Sequence, residues 1–121
     1  MVTEGIEGLY IETRDYGATA AFWSALGFSK RFETDHGSGQ WEYPGGGPYV
    51  FINERRHGDL EIHPILRTLD PVVGGPDQGL EVIEPSSPQH WGVLEAKVRD
   101  PDGRTVRLQT PERSDRQTSP N

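Results

Sequence analysis

Two side chains in this sequence combine a reactive type with a suggestive setting, His63 and Arg107. In RTVRLQT, residues 104–110, Arg107 falls on the same side of an extended chain as Thr105 and Gln109, while Val106 and Leu108 face the other way. If the polar side lines a cavity, the guanidinium can clasp a carboxylate, phosphate or enolate in bidentate fashion; if it faces water, Arg107 is an ordinary surface residue. His63 precedes a proline in EIHPILRTLD. Imidazole suits proton transfer near neutrality but needs a placed substrate and an orienting carboxylate, for which Glu61 and Glu95 are available in the sequence. A structural histidine at a strand edge is the plainer alternative.

Flat side chains form the second group. Trp41 and Tyr43 share one side of their strand and point together into either the core or a cavity. Trp41 and Trp91 flank Gly-rich or Pro-rich segments where a cavity rim would lie, and aromatic faces stack on planar or cationic ligands. Phe51, inside YVFI, is expected in the core. On the first strand Gly8, Tyr10 and Glu12 share a side opposite Leu9 and Ile11, a patch smooth at one end and acidic at the other. PGGGPY lacks the lysine, the Ser or Thr and the strand-to-helix context of a phosphate loop, and reads as a hairpin connection. There is no Ser-centred nucleophile motif and no HExxH.

The 121 residues suffice for one domain, conceivably of two small modules, and 15 glycines with 10 prolines favour many short strands over a bundle. Twelve Lys and Arg against 19 Asp and Glu give a formal net charge of -7, which disfavours nucleic acid as a partner. No apolar run approaches a membrane span, and MVTEGIEGLY has no basic segment followed by an apolar one, so neither membrane insertion nor export is expected. The absence of cysteine removes disulfides, thiol nucleophiles and thiolate ligands, and fits a cytoplasmic protein.

These residues must be positioned by short elements. GLYIETRD alternates at strand period; Asp15 then caps an Ala-rich helix with Gly27 at its exit. Phe22, Leu26 and Ala18 are expected to face a sheet, with Trp23 at an interface or cavity edge. FSKRFET is a strand, and HGSGQWEYPGGGPYVFINERR two short strands joined by a glycine turn. Residues 53–59 read as a linker. LEIHPILRTLD is a strand, with Pro64 at its start, at an edge or at a bulge. PVVGGPDQ holds at most one helical turn; LEVIE is a strand, EPSSPQH a loop, WGVLEAKVRD a strand and PDG the turn into RTVRLQT. PERSDRQTSPN reads as a frayed tail. GLYIETRD and HPILRTLD correspond, with Asp15 and Asp70 at the same relative place, which suggests two comparable halves, about 6–54 and about 60–111.

The strand running to Asp15, the AFWSALGF helix exit and the WGVLEAKVRDPDGRTVRL hairpin together resemble the vicinal oxygen chelate superfamily, which includes glyoxalases, extradiol dioxygenases and bleomycin resistance proteins. The resemblance spans about residues 6–111. It implies an α+β fold of paired βαβββ modules, curved around a cavity and usually dimeric, with the second helix shortened. Family enzymes hold a divalent ion through a histidine opening the first strand of each module and a glutamate in the last strand. Those places correspond here to Gly8, His63 and Arg107. Arginine has no lone pair to donate, so neither a metal nor another cofactor is expected, and nothing in the spacing of Glu12, Glu61, Glu95 and His90 argues for a rearranged site. Three functions follow as expectations. The first is a homodimeric binding protein of the bleomycin resistance type that sequesters a planar or cationic compound, contacted by Tyr10, Glu12, Trp41, Tyr43, Trp91, Glu95 and Gln109. The second is a metal-independent isomerase or lyase using Arg107 and His63. The third is a metal-dependent enzyme with displaced ligands.

Overall fold

The computed structural model of the protein describes residues 3–73, 79–89 and 92–111. They fall into two compact units, Glu7–Pro64 and residues 3–6 with 65–111. Each is a mixed sheet, and the described residues contain one helix.

In the unit Glu7–Pro64, strand β1 (Thr3–Thr13, residue 7 onward) leads into helix α1 (Tyr16–Ala25), then β2 (Ser29–Glu33), β3 (Ser38–Glu42) and β4 (Tyr49–Glu54). The strand order is β2-β3-β4-β1, with β1 parallel to β4 and the other pairs antiparallel. The helix starts where the sequence places its cap: Asp15 is extended, and its Oδ1 accepts a hydrogen bond from the Ala18 N–H at 3.1 Å. It ends at Gly27, whose φ of +102° is costly for any residue with a Cβ. The helix buries Ala20, with Tyr16 and Trp23 beside it, on a sheet face made of Trp41, Val50 and Ile52.

That packing overturns the expected helix face. Phe22 is 59% and Leu26 53% exposed, while Trp23 packs on the core and meets Phe28 edge-on at 5.1 Å. Tyr16, Ala20 and Trp23 also recur at helical spacing, and tertiary volume chose between two equally apolar stripes. Burial pushes the Tyr16 phenol above its ordinary pKa, against the hydrogen bond that Trp41 Nε1 donates to it at 3.2 Å.

The second unit repeats the plan. Strand β5 (Ile62–Thr68, residue 65 onward) is followed by β6 (Glu81–Pro88), β7 (Val93–Arg99) and β8 (Thr105–Pro111), in the order β5-β8-β7-β6 with β5 parallel to β8. The suggested correspondence is visible at the strand ends: Thr13 donates its hydroxyl to the Asp15 carbonyl at 3.2 Å, and Thr68 does so to Asp70 at 3.1 Å. Strand β6 runs through EPSSP, which the sequence suggested as loop. Its prolines are tolerated because β6 is the last strand in the order and its register shifts on both sides of Glu84. The core gathers Val72, Ala96, Val98 and Leu108. Val72 is laced to β6, its N–H on the Ser86 hydroxyl at 2.7 Å and its carbonyl accepting from the Ser86 N–H at 2.8 Å. For PVVGGPDQ, where at most one helical turn was expected, residues 71–73 are not helical and 74–78 lie outside the described residues, as does the 112–121 tail. In the β7–β8 turn the Arg104 backbone N–H on its oxygen holds the Asp100 carboxyl below its ordinary pKa, with the Arg104 side chain and the Asp102 N–H adding to the effect.

Candidate functional site

In the unit Glu7–Pro64 the register Gly8↔Tyr49, Tyr10↔Phe51 and Glu12↔Asn53 puts these six residues on the sheet face opposite α1. The result is a row of rings. Phe32 and Phe51 have centroids 6.2 Å apart, Phe51 and Tyr10 stack at 6.4 Å and 13°, and Tyr10 stacks on His63 at 5.1 Å and 22°. Exposure falls along the row, from Phe32 at 42% to Tyr10 at 8% and His63 at 6%.

A polar network fixes the inner end. Glu12, itself buried, accepts from the Glu61 N–H at 3.0 Å on Oε1, and from the Tyr10 hydroxyl at 2.9 Å and Arg55 Nη1 at 3.4 Å on Oε2. The Tyr10 oxygen accepts in turn from Asn53 Nδ2 at 3.1 Å. Glu61 Oε1 lies 2.6 Å from His63 Nε2, so a half-exposed carboxylate orients a buried imidazole. The segment carrying Glu61 is tied down by Arg14, which donates to the carbonyls of Arg55 and Gly58, and by Arg55 Nε on the His57 carbonyl. The residues that read as a linker thus hold the site's acid in place.

In the other unit, Arg107 and Gln109 stand on the face of β8 opposite Leu108 and meet Glu95 of β7. Arg107 Nη1 donates to Glu95 Oε1 at 3.1 Å and Gln109 Nε2 to Oε2 at 2.8 Å, with the Glu95 side chain 6% and the Arg107 side chain 13% exposed. The guanidinium therefore has a buried acid as partner, and the expected solvated or ligand-clasping arginine is first of all half of an ion pair. Lys97, level with Arg107 on β7, lies 3.8 Å from Glu84.

These residues do not fit the divalent ion that the resemblance associates with their positions. A Cβ on Gly8 would stand 2.6 Å from Cε1 of Tyr49, so that place is filled by a neighbour's ring as well as lacking a donor. His63 is engaged by Glu61, and Arg107 carries like charge. Among the described residues no three His, Cys, Asp or Glu side chains are grouped so as to hold a metal ion. The close fit at Gly8 is measurable. Gly8→Ala is expected to lower stability by about 1–3 kcal/mol through overpacking, and in a Tyr49→Ala background the same change, measured against Tyr49→Ala alone, should cost much less in urea unfolding. A Gly8→Ala protein as stable as the parent would show that Tyr49 yields freely.

Of the other residues singled out in the sequence, Trp41 resolves to core: it is 9% exposed beneath α1, on the side away from Tyr10 and His63, because strand period sends it with Val50 and Ile52. Tyr43 is exposed and rests edge-on against Phe28, also on the helix side. Trp91 and His90 lie outside the described residues. Phe51 is not core under the helix but part of the ring row. It, Phe32, Asn53 and Arg55 are the site residues that sequence reasoning missed. Strict alternation in YVFI, with Val50 and Ile52 on one side, was the signal for Phe51; nothing local marks Asn53 or Arg55.

A solved structure of an NAD-dependent benzaldehyde dehydrogenase from Legionella pneumophila is similar to this chain with a TM-score of 0.59 and 11% identity, over 86% of this chain and 97% of that one. A glyoxalase/bleomycin resistance protein/dioxygenase superfamily member from Vibrio splendidus is similar with a TM-score of 0.57 and 13% identity, over 85% and 96%. No family model and no curated protein matches the sequence. The chain is built on the vicinal oxygen chelate fold, a mixed sheet with one helix among the described residues. At these identities the likeness establishes the fold alone.

Proposed function

We propose that this chain is a metal-independent binding protein that sequesters a planar, positively charged organic compound, working as a cytoplasmic homodimer. The proposal takes from the family resemblance a sheet curved around a cavity. The observation that carries it is the row Phe32–Phe51–Tyr10–His63, graded from exposed to buried and flanked by the half-exposed Glu61 carboxylate. Flat faces at this spacing suit stacking, each good ring contact being worth about 0.5–1.5 kcal/mol beyond its area. A cation over such faces gains about a further 0.5–2 kcal/mol, and the net charge of -7 favours its approach. Among the described residues no helix is long and apolar enough to cross a membrane.

Titration with a panel of planar aromatic cations of the acridine class, followed by fluorescence and by recovery of unchanged ligand, tests this reading. At least one should bind saturably and be recovered intact. Phe51→Leu should weaken it about tenfold, the size of one lost stacking contact, with the far-ultraviolet spectrum unchanged. Absence of binding across the panel, or indifference to Phe51→Leu, overturns the proposal. A second reading, a metal-independent isomerase or lyase using His63 and Arg107, is favoured by the 2.6 Å His63–Glu61 contact, the geometry of an oriented base. Consumption of ligand by chelator-treated protein, abolished in His63→Gln, would establish that reading instead.

A further inference from the structure

Because the two units share a strand order, the sheet face that α1 roofs in Glu7–Pro64 has a counterpart in the unit of residues 3–6 and 65–111. In the first, Tyr16, Ala20 and Trp23 fill the space above Trp41, Val50 and Ile52. In the second, the connection from β5 to β6 supplies Val72, fully buried, and Leu80, partly buried. Beside them, among the described residues, is a recess of about 500 Å3 whose lining includes Leu66, Leu80, Val98, Val106 and Leu108. It lies on the face away from Glu95, Arg107 and Gln109, and none of the residues discussed above for ligand or catalysis lines it.

We propose that this recess is a second binding site, for an uncharged apolar molecule the size of one or two fused rings. Three observations support that occupant. The volume falls within the range of small-molecule sites, about 300–1,000 Å3. The lining is mainly apolar, with five branched aliphatic side chains that offer dispersion and burial, and its polar members are Thr3, Glu81, Arg99 and Asp100. The charged side chains among the described lining residues already have partners within the protein. Arg99 Nη1 pairs with Glu81 at 3.2 Å, and the Asp100 carboxylate takes Arg104 Nη1 at 3.0 Å and the N–H groups of Asp102 and Arg104 at 2.9 and 2.8 Å. A charged ligand would find no unanswered partner there and would lose its hydration. A protein partner is disfavoured by size, since a stable interface buries about 800 Å2 on each side, whereas the recess has eleven lining residues among the described ones.

Indole, with indole-3-acetate and tryptamine as anionic and cationic analogues, tests the site by methyl-selective nuclear magnetic resonance on the full chain. Indole should shift the Leu66, Val98, Val106 and Leu108 methyls saturably, and each charged analogue should do so about tenfold more weakly. Val106→Phe, which fills the recess, should abolish the indole shifts, and the mapping on the unaltered protein stands even if that variant does not fold. No saturable shift at these methyls, or equal binding of the charged analogues, overturns the inference. So does a concentration-dependent dimer, seen by sedimentation, whose formation alone moves the same methyls. Loss of acridine binding leaves the result untouched, because that ligand is assigned to other residues.

Discussion

Replacing Glu95 with Leu is expected to remove about 3–5 kcal/mol of stability, the usual consequence of breaking a buried ion pair from one side. The carboxylate is 6% exposed and receives hydrogen bonds from Arg107 Nη1 at 3.1 Å and Gln109 Nε2 at 2.8 Å, so its removal takes a buried acid away from a guanidinium that is itself only 13% exposed. The cost arises from keeping that cation buried with less compensation rather than from the attraction lost, because desolvation offsets much of the pair's Coulomb energy. Adding Arg107→Met should therefore return most of the loss, leaving the double variant within about 1–2 kcal/mol of the parent. Urea unfolding of the four proteins of the cycle measures this. A single-variant loss under about 1 kcal/mol would place the pair with solvent-exposed bridges and would return Arg107 to the pool of residues available to an anionic ligand.

Glu12→Ala should cost about 3 kcal/mol, since hydrogen bonds to a buried charge are worth about 1.5–3 kcal/mol each and three that share an acceptor do not add. The three donors are the Tyr10 hydroxyl, Arg55 Nη1 and the Glu61 N–H. The third carries the functional consequence. Glu12 also donates its own N–H to the Glu61 carbonyl at 3.0 Å, so one residue of β1 fixes the segment from which Glu61 orients His63. Besides the stability loss, affinity for the acridine-class ligand should fall about tenfold, and the His63 ring resonances should broaden as the imidazole loses its fixed carboxylate. Glu12→Gln keeps the carbonyl acceptor for Glu61 and should retain most of the ligand affinity. Unchanged His63 resonances in Glu12→Ala would end the claim that Glu12 positions the dyad.

Much of this architecture is local. Alternation in GLYIETRD, YVFINE and RTVRLQT is enough to define β1, β4 and β8 and to sort their side chains onto two faces, because extended chain has period two wherever it lies. The Asp15 cap and the Gly27 exit bound the helix for equally local reasons. The chemical misfit of Gly8 and Arg107 with a metal site could be read from residue type at family-matched positions, since a missing side chain and a permanent cation are unsuitable donors in any fold.

What only the tertiary structure decided are the choices between locally equivalent options. Helix α1 has two apolar stripes, and the volume over Trp41, Val50 and Ile52 selected Tyr16, Ala20 and Trp23 in place of Phe22 and Leu26. The same packing claimed Trp41 for the core and left Phe51 in the ring row. Arg107 meets Glu95 across 12 residues, Arg55 donates to Glu12 across 43 and the Glu61 N–H donates to Glu12 across 49, separations at which no periodicity survives. The recess in the second unit is likewise invisible in the sequence, because Leu66, Leu80, Val98, Val106 and Leu108 come from separate segments that only the formed sheet brings together. Local order follows from backbone sterics and spacing, whereas the selection of partners depends on which surfaces the folded chain brings within a few ångströms.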